Sequence, residues 1–476
     1  MTSFLQAFLP ELVMLAGALG LFVVALGEGN TRGARTLALF TALAAVLACV
    51  VTRHSQAVLF DGAYRVDAFS QWLKLVISAG FAFLILLGAE LPDIRKGVKP
   101  EYFLFLTLSI TGLITLVSCI DVIALVIALE LSSFPLYIMV AMRREREGHR
   151  VQMESAIKYI MFGVAANGIM FFGLSYLYGL TGSTSLPVMM TKLQPLAGSP
   201  LAVVGLAMAF AGIYYKLAIF PFHFWTPDVY QGASNETAGL IASLPKLGAM
   251  AVFVRFVSLS TQDNPSIVAL LSILAVASML YGNLIALVQK DFKRLLGFSS
   301  IAHAGYGVVG FAALSAAGYT ASLYYITGYV FMILACFLVI SRVSADGGNV
   351  AISDLAGLHR RSPLLALTLL VAVFSLAGVP PFVGFMGKFS ILSAALAKGH
   401  VSLVVIMVIN TAIAVYYYLR VVKEAVFGDP VEQAPIVLDL PTRALCVSLI
   451  AAIVLLGVAP AKILATISAS LSCLGL

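Results

Sequence analysis

The stretch that decides the fold is YYKLAIFPFHFWTPDVYQGA, Tyr214 to Ala233, which places a lysine and two prolines inside otherwise membrane-spanning sequence. Lys216 follows a run of roughly 15 mostly apolar residues, so we expect it to lie within the bilayer. Pro221 deprives the carbonyl of Leu217 of its helical hydrogen bond, and Pro227 repeats the interruption. Broken helices are tolerated at membrane depth only where they line protein-enclosed or water-filled cavities. The stretch therefore predicts a broken helix with a buried charge, which favours ion transport.

The composition is that of a polytopic membrane protein. Of the 476 residues, 61% are hydrophobic and 11% are charged, and the mean hydropathy is +1.02. No soluble domain of this size could bury so much apolar side chain. The net charge of +7 comes from short loops between spans, which argues against nucleic acid as a partner. Five scattered cysteines form no C-x-x-C pair, which argues against a metal or iron–sulfur site.

Apolar runs of spanning length predict an all-α chain of about fourteen transmembrane helices. The run at 362–397 is too long for one simple span and contains Pro380 and Pro381, so it predicts a second broken helix. The broken helices are the seventh and twelfth spans. The tail after Pro460 is predicted to be an interfacial helix, with an extension of the last span as the alternative. The predicted spans are 4–26, 34–52, 68–89, 101–119, 121–142, 153–178, 201–222, 236–260, 267–288, 292–315, 319–343, 362–397, 401–427 and 442–460.

The loops between these spans alternate in basic charge. The odd-numbered loops hold eighteen lysines and arginines, whereas the even-numbered loops hold only Arg53, Arg65, Lys192 and Lys398. Because basic loops face the cytoplasm, both termini are predicted to lie on the non-cytoplasmic side. Lys74, Arg255 and Lys462 fall near predicted span ends, where we expect their long side chains to reach the interface.

Two similar offsets indicate an internal repeat. Lys216 and Lys388, each beside a proline break, are 172 residues apart, and Ser132 in LELSSFPLY and Ser299 in LGFSSIAHAGY are 167 apart. Secondary transporters often contain inverted repeats with broken helices at corresponding places. We therefore predict an N-terminal three-helix segment at 1–100, a five-helix repeat at 101–260, an inverted five-helix repeat at 267–427, and a C-terminal helix and tail at 442–476.

Four ionisable residues are predicted to lie in the interior of the bundle. Glu130 has apolar neighbours for two turns on either side in the fifth span, and Lys216 is its candidate partner because a nearby ammonium keeps a buried carboxylate ionised. Lys246 follows a proline in the eighth span, and Lys388 follows the double proline of the twelfth. A buried lysine can exchange its proton near neutral pH, which arginine cannot. A static ion pair of Glu130 and Lys216 is the alternative.

Three further residues extend this polar set. His303 in the tenth span can relay a proton through its two ring nitrogens, with a hydrogen-bonded core histidine as the alternative. Lys158, one turn into the sixth span, is predicted to modulate the glutamate–lysine pair, with packing or contact with the interface as the alternative. His223, at the cytoplasmic end of the broken helix, is a candidate for the proton uptake path. The tyrosines Tyr416 to Tyr418 are predicted to serve in packing.

The chain resembles the antiporter-like membrane subunits of respiratory complex I, the bacterial NADH-quinone oxidoreductase. The resemblance covers nearly the whole chain. It is most specific in EYFLFLTLSITGLITLVSCIDVIALVIALELSSFPLY (101–137), YKLAIFPFHFWTPDVYQGA (215–233), NLIALVQKDFKRLLGFSSIAHAGY (283–306) and LAGVPPFVGFMGKF (376–389). One departure follows the second of these, where SNETAG (234–239) replaces the family's usual proline-rich PTPVTA-like turn.

The resemblance implies fourteen helices in two inverted repeats and proton translocation driven by quinone reduction. It implies other membrane-arm subunits as partners, a bacterial inner membrane as the location, and NADH, flavin, iron–sulfur clusters and quinone in partner subunits, with no cofactor in this chain. The alternatives are a subunit of a multisubunit sodium/proton antiporter or membrane-bound hydrogenase, and a structural scaffold with an inert polar line. The resemblance carries the family's key glutamate, paired lysine, central lysine and exit-side lysine, and two further polar positions, onto Glu130, Lys216, Lys246, Lys388, Lys158 and His303.

Overall fold

Helices make up most of the chain that the computed structural model describes, which is residues 4–27, 30–88, 90–146, 150–260, 264–429 and 434–472. In chain order they are α1 (Phe4–Ala7), α2 (Leu9–Leu26), α3 (Thr31–Val51), α4 (Ala68–Leu87), α5 (Lys99–Leu116), α6 (Val122–Ala141), α7 (Val151–Thr181), α8 (Leu186–Leu193), α9 (Pro200–Ala209), α10 (Ala211–Leu217), α11 (Trp225–Gly232), α12 (Asn235–Ala242), α13 (Leu244–Val257), α14 (Pro265–Ala286), α15 (Phe292–Ala312), α16 (Ala316–Val343), α17 (Leu358–Arg361), α18 (Pro363–Ala377), α19 (Val383–Ala397), α20 (Val401–Phe427), α21 (Leu440–Val458) and α22 (Ala461–Ser472).

Twelve helices of the described chain are long and apolar enough to cross a membrane, counting Pro200–Leu217 and Asn235–Val257 as one helix each. The chain is therefore a multi-pass, α-helical membrane protein. The two predicted spans outside this set are 101–119, which corresponds to α5 with its polar start at Lys99, and 362–397, which is divided into α18 and α19. Helix α22 is separate from α21, and residues 473–476 of the predicted tail lie outside the described residues.

The helix breaks lie where the prolines predicted them. Helix α10 ends one residue after Lys216, and α11 begins at Trp225 after a non-helical segment in which Ala218 has φ 64°. Helix α18 ends before Gly378, which has φ 90°, and α19 begins at Val383. The bonds preceding Pro221 and Pro381 are cis. Both breaks therefore leave helix-terminal carbonyl groups beside a lysine.

A third interruption was not predicted. The span predicted at 236–260 is divided at Ser243, whose backbone φ and ψ of −113° and −89° are not helical. Pro245 lacks the N–H that would bond the carbonyl of Ile241, so the helix cannot continue regularly through this point. Upstream, Ser234 accepts a hydrogen bond from the Thr237 N–H at 3.3 Å. The unusual SNETAG segment is therefore the capped start of α12.

One β-hairpin was also missed. Strands β1 (Ala57–Leu59) and β2 (Tyr64–Val66) pair antiparallel, with Val58 opposite Arg65. They are joined by a turn at Asp61 and Gly62, both with positive φ. An Asp-Gly pair between short apolar segments is a hairpin signal.

The contacts divide the chain into two compact units. The first unit comprises Met1–Lys216, Leu244–Ile267 and Ala469–Leu476, and the second comprises Leu217–Ser243 and Val268–Ser468. Small residues allow close helix packing within each unit. In the first, a Cβ on Gly112 of α5 would lie 2.4 Å from the backbone nitrogen of Ser132 in α6, and in the second, a Cβ on Gly282 of α14 would lie 2.6 Å from that of Ala302 in α15.

Candidate functional site

Glu130 lies in the middle of α6, half-buried, and is held by a residue that sequence reasoning missed. The Asn167 side chain on α7 is 6% exposed and donates its amide Nδ2–H to Glu130 Oε1 at 2.5 Å. Helix α6 is fixed at its start by Asp121, whose carboxylate accepts the N–H of Ile123 at 2.8 Å. Asn167 carried no sequence signal, because a single asparagine in an apolar span does not reveal which neighbour it contacts.

Lys216 is buried at the end of α10 and donates to oxygen atoms of α6. Its Nζ lies 2.8 Å from Ser132 Oγ and 3.4 Å from the carbonyl oxygen of Leu129. Among the described residues, no ion pair within 4.0 Å joins Lys216 to Glu130. The static ion pair, which was the alternative, is therefore not formed, although each of the two charges acts electrostatically on the other. The carboxylate and the ammonium lie around the same turn of α6, and each is held by a neutral side chain.

Lys246 and Lys158 differ sharply in their surroundings. Lys246 is 1% exposed near the start of α13, a helix in which every residue is buried. A charged side chain at the bilayer centre costs about 2.5 to 3.5 kcal/mol on insertion scales, so such a position is typical of a functional residue. Lys158 is about one-third exposed on α7, and its Nζ forms an ion pair with Glu154 Oε1 one turn earlier at 2.7 Å. The structure does not bring Lys158 onto Glu130.

His303 lies at the centre of a hydrogen-bonded network in the second unit. Its Nδ1 lies 2.5 Å from the Tyr325 hydroxyl and its Nε2 lies 2.9 Å from the Tyr418 hydroxyl. The Tyr418 hydroxyl in turn lies 2.8 Å from Ser299 Oγ. Both ring nitrogens are thus engaged, and hydroxyl groups can both donate and accept, so the arrangement can pass a proton along its hydrogen bonds.

Lys388 is buried at the second helix break. Its Nζ donates to the carbonyl oxygens of Leu376 at 2.9 Å and Ala377 at 3.1 Å, which are end carbonyls of α18. It also lies 4.8 Å from the centroid of the Tyr306 ring. The negative end of the α18 dipole and the face of the aromatic ring both favour an ammonium here.

The tyrosines of α20 are more than packing residues. The Tyr417 hydroxyl donates to Asn283 Oδ1 at 3.1 Å, and Asn283 Nδ2 donates to the Tyr306 hydroxyl at 3.0 Å. Tyr418 contacts His303, as described above, whereas Tyr416 is 66% exposed. The two buried members of the trio pack in the core as predicted, and their hydroxyl groups also join the lysine and histidine surroundings.

His223 lies in the non-helical segment between α10 and α11 and is fully buried. Neither ring nitrogen has a hydrogen-bond partner in the described part of the chain. The ring is surrounded by aromatic groups, with the Tyr281 centroid at 4.2 Å and the Phe224 centroid at 4.3 Å. The described residues give this histidine an aromatic setting but no relay partner.

A buried ion pair in the first unit corrects one prediction. Lys74 does not reach the interface: its Nζ lies 2.7 Å from Glu11 Oε1, and the two side chains are 0% and 1% exposed. The Tyr64 hydroxyl donates to the same oxygen at 2.6 Å. Arg255 is also buried, at 6% exposure, whereas Lys462 is exposed. The partner of Lys74 is 63 residues away in sequence, so position within a span could not reveal it.

Among the described residues, no group of three or more His, Cys, Asp or Glu side chains is arranged to hold a metal ion. The four described cysteines are separate and buried: Cys49, Cys119, Cys336 and Cys446.

Comparison with known proteins shows the family to which this chain belongs. The sequence profile described as NADH:quinone oxidoreductase/Mrp antiporter, TM matches residues 119–414, which include Lys216, Lys246 and Lys388. A protein named NADH-quinone oxidoreductase subunit N 2, from Opitutus terrae, is 66% identical over 473 residues, covering 99% of this chain and 98% of that protein. The chain belongs to the subunit N family of NADH-quinone oxidoreductase. The buried lysines and the His303 network described above are therefore features of a subunit N family member.

Solved structures agree with this assignment. A chain of respiratory complex I from Thermus thermophilus with bound aureothin superposes with a TM-score of 0.83 at 29% identity, covering 97% of this chain and 100% of that one. A chain of the Mrp complex from Dietzia sp. superposes with a TM-score of 0.87 at 19% identity, covering 98% and 97%. The second likeness shows a shared fold alone. The chain thus has the antiporter-like fold of the complex I chain. Its 29% identity to that chain exceeds its 19% identity to the Mrp chain.

Proposed function

We propose that the chain is a proton-translocating membrane-arm subunit of an NADH-quinone oxidoreductase. The observation that carries the proposal is the burial of Lys216, Lys246 and Lys388 inside apolar helices of a subunit N family member, at 7%, 1% and 4% exposure. Buried lysines are able to load and release protons, and so many of them would be costly in an inert membrane protein.

The energy for pumping must come from outside this chain. Moving one charge against 100 mV costs about 2.3 kcal/mol. We propose that quinone reduction in partner subunits supplies it, and that NADH, flavin, iron–sulfur clusters and quinone bind there. The partners of this chain are then the other membrane-arm subunits and the lipid bilayer, and its moving substrate is the proton.

The proposed route begins on the cytoplasmic side and loads the Glu130 and Lys216 group first. Lys246 takes the proton next, His303 relays it, and Lys388 releases it towards the opposite side. Lys216 contacts the Ser132 hydroxyl, and His303 contacts two tyrosine hydroxyls. These contacts support the proposed roles, because a hydroxyl group can accept a hydrogen bond from a protonated side chain and donate one to a deprotonated side chain.

Lys158 and His223 take peripheral roles in this proposal. Lys158 modulates the Glu130 and Lys216 group through its charge, and its pairing with Glu154 is consistent with a position outside the route. His223 contributes to proton uptake when water reaches its ring. Its position in the non-helical segment between α10 and α11 supports this role.

We further propose fourteen spans, with broken seventh and twelfth helices in two inverted five-helix repeats at 101–260 and 267–427. A three-helix segment at 1–100 precedes the repeats, and a helix and tail at 442–476 follow them. The positions of the lysines at the breaks support this arrangement: Lys216 precedes its break, and Lys388 follows its break but reaches back to the end of the preceding helix. The proposed location is a bacterial inner membrane with both termini on the non-cytoplasmic side.

The test uses the assembled, purified complex reconstituted in liposomes. Glu130→Ala and Lys246→Ala should lower the ratio of protons translocated to quinone reduced, while Lys462→Ala, at an exposed position outside the proposed route, should leave it unchanged. Full pumping in both of the first two variants would favour an inert scaffold. A requirement for sodium in wild-type pumping would instead favour a sodium/proton antiporter.

A further inference from the structure

A small cavity at one end of the first unit is lined by two arginines. It has a volume of about 70 Å³ and lies between strand β2, helix α8 and the end of helix α13. Its polar lining comes from Arg65, Arg255 and Ser258. We propose that this cavity binds a phosphate group, that of an anionic phospholipid headgroup.

Arg255 is the buried anchor of this site. It is 6% exposed, and its Nη2–H donates to the carbonyl oxygen of Val117 at 2.9 Å. Its Cζ lies 5.4 Å from the centroid of the Phe69 ring. The Nε atom is buried and has no hydrogen-bond partner among the described residues. A guanidinium carries five N–H donors, so this one has donor capacity that the described chain does not use.

The charge around the cavity is positive. Arg65 is half-buried on β2, and its positive charge acts on Arg255, as does the negative charge of Asp67. Neither arginine forms an ion pair within 4.0 Å with a described carboxylate. Asp67 accepts the Ser70 N–H at 2.8 Å with Oδ1, and its Oδ2 is buried without a hydrogen-bond partner. The single negative charge of Asp67 therefore acts against the two positive charges of Arg65 and Arg255. The cavity keeps a net positive charge, which a bound anion would balance.

The geometry of guanidinium groups suits phosphate. Two parallel N–H donors match two phosphate oxygens, and arginine is the usual residue for such recognition. Arg65 also belongs to a predicted non-cytoplasmic loop, where basic residues are scarce in this chain. A pair of arginines on that side is explained by a specific ligand better than by topology.

The remaining walls favour a lipid over a free ion. The cavity lies where spans α5, α6 and α13 meet the connecting segments, so it is at headgroup height in the proposed topology. Apolar walls around a charged end fit the phosphate and glycerol of a phospholipid. These apolar lining residues are Ile120, Leu186, Pro187, Met190 and Leu259.

The site has a consequence for the helix that carries Lys246. Arg255 lies nine residues after Lys246 on the same helix, α13. A phosphate bound by Arg255 and Arg65 would link the end of α13 to the hairpin formed by β1 and β2. Lipid occupancy would thereby steady the position of Lys246, whether or not that lysine carries protons.

The experiment labels the assembled complex with a photoactivatable phosphatidylglycerol in vesicles and maps the labelled peptides. We expect labelling of peptides from 117–121, 186–193 and 255–259. Arg65→Gln should reduce this labelling about tenfold, as loss of one charged hydrogen bond would. Met190→Trp, which fills the cavity without changing charge, should do the same. Arg53→Gln is the matched control, an exposed arginine on the same predicted side and outside the cavity.

Two further arms separate the sources of phosphate. Photoactivatable phosphatidylcholine should label these peptides weakly, since its headgroup has no net charge. Inorganic phosphate added to the detergent-solubilised complex should compete poorly with phosphatidylglycerol. Binding of radiolabelled inorganic phosphate to the wild-type complex, lost in Arg65→Gln and found without lipid labelling, would keep the phosphate site and reject the lipid. Labelling that is equal in the wild type, Arg65→Gln and Met190→Trp, or the absence of both lipid labelling and such phosphate binding, would overturn the site.

Discussion

Ser132 gives Lys216 a hydrogen-bond partner other than Glu130 in the first unit. Its hydroxyl accepts from Lys216 at 2.8 Å, while Glu130, two residues earlier, accepts from Asn167 at 2.5 Å. Each charged group thus has a neutral partner, and neither charge depends on the other for its hydrogen bond. Such an arrangement lets one group change its protonation without leaving the other without a partner, which suits exchange better than a tight ion pair would.

Replacing Ser132 tests this view. In Ser132→Ala the Lys216 ammonium loses a hydrogen bond that is worth about 1.5 to 3 kcal/mol when charged. We expect proton translocation to slow roughly ten- to hundredfold, with quinone reduction retained, as measured in liposomes with the assembled complex. Ser133→Ala is the matched control, because Ser133 Oγ donates to Leu129 at 2.6 Å and is not bonded to Lys216. Equal losses in both variants would contradict the role given to Ser132.

Tyr418 offers a second test at the level of one hydroxyl group. Tyr418→Phe removes the oxygen that joins His303 Nε2 to Ser299 Oγ and keeps the ring. A neutral hydrogen bond is worth about 1 kcal/mol, so we expect translocation to fall severalfold at unchanged quinone reduction. Tyr416→Phe, at a position 66% exposed, should have no effect. Normal pumping in Tyr418→Phe would mean that His303 does not act through this tyrosine.

Sequence reasoning identified the buried ionisable residues but not the neutral side chains that hold Glu130 and His303. Lys216 and Lys388 stand out because a charge inside an apolar run is costly and rare. Asn167 and Tyr418 are uncharged, and their importance depends on neighbours far away in sequence. Lys74 shows the opposite failure: it resembled an interfacial residue until the fold placed it on Glu11.

At the level of helices, α5 and α6 pack so closely that the position of the site depends on a glycine. A Cβ at Gly112 would lie 2.4 Å from Ser132 N and 2.7 Å from Leu131 C, and backbone atoms cannot move aside as side chains do. Helix α6 carries both Glu130 and Ser132. Any separation of α5 from α6 would therefore shift the polar group.

Gly112→Ala should accordingly destabilise the complex by about 1 to 3 kcal/mol, the usual cost of overpacking. The expected result is a lower temperature at which the complex, heated in liposomes, loses proton translocation. Gly168→Ala is the control, because Gly168 is an exposed helical residue of α7 with nothing within 4 Å of its added Cβ. Alanine there should be neutral or stabilising by up to about 1 kcal/mol. A Gly112→Ala complex as heat-resistant as the wild type would show that α5 and α6 can move apart freely.

The prolines made the two main breaks predictable, since each removes a backbone donor at a known position. The interruption at Ser243 follows the same rule through Pro245, but the apolar run on both sides concealed it. The hairpin at Ala57–Val66 was missed for another reason: its strands are three residues each, too short to leave an alternating pattern. Apolar periodicity thus located the spans and left the short connecting structure undetermined.

At the level of the whole molecule, the distribution of basic residues predicts the orientation of the chain in the membrane. Cysteine substitution at two surface glycines can test it. Gly97 lies in a basic loop predicted to face the cytoplasm, and Gly198 lies in a loop with few basic residues predicted to face the opposite side. Both are exposed, and a Cβ at either position meets nothing within 4 Å. Cysteine can therefore replace either glycine without a clash.

A membrane-impermeant maleimide should label Gly198→Cys in intact spheroplasts, and it should label Gly97→Cys only in inverted vesicles. The described native cysteines are buried, and labelling of the wild-type chain gives the background. The physical basis is that lysine- and arginine-rich loops are retained on the cytoplasmic side during insertion. Labelling in the reverse order would invert the chain in the membrane and reverse the proposed direction of the route from Glu130 to Lys388. Labelling of both cysteines from one side would contradict the number of spans between residues 97 and 198.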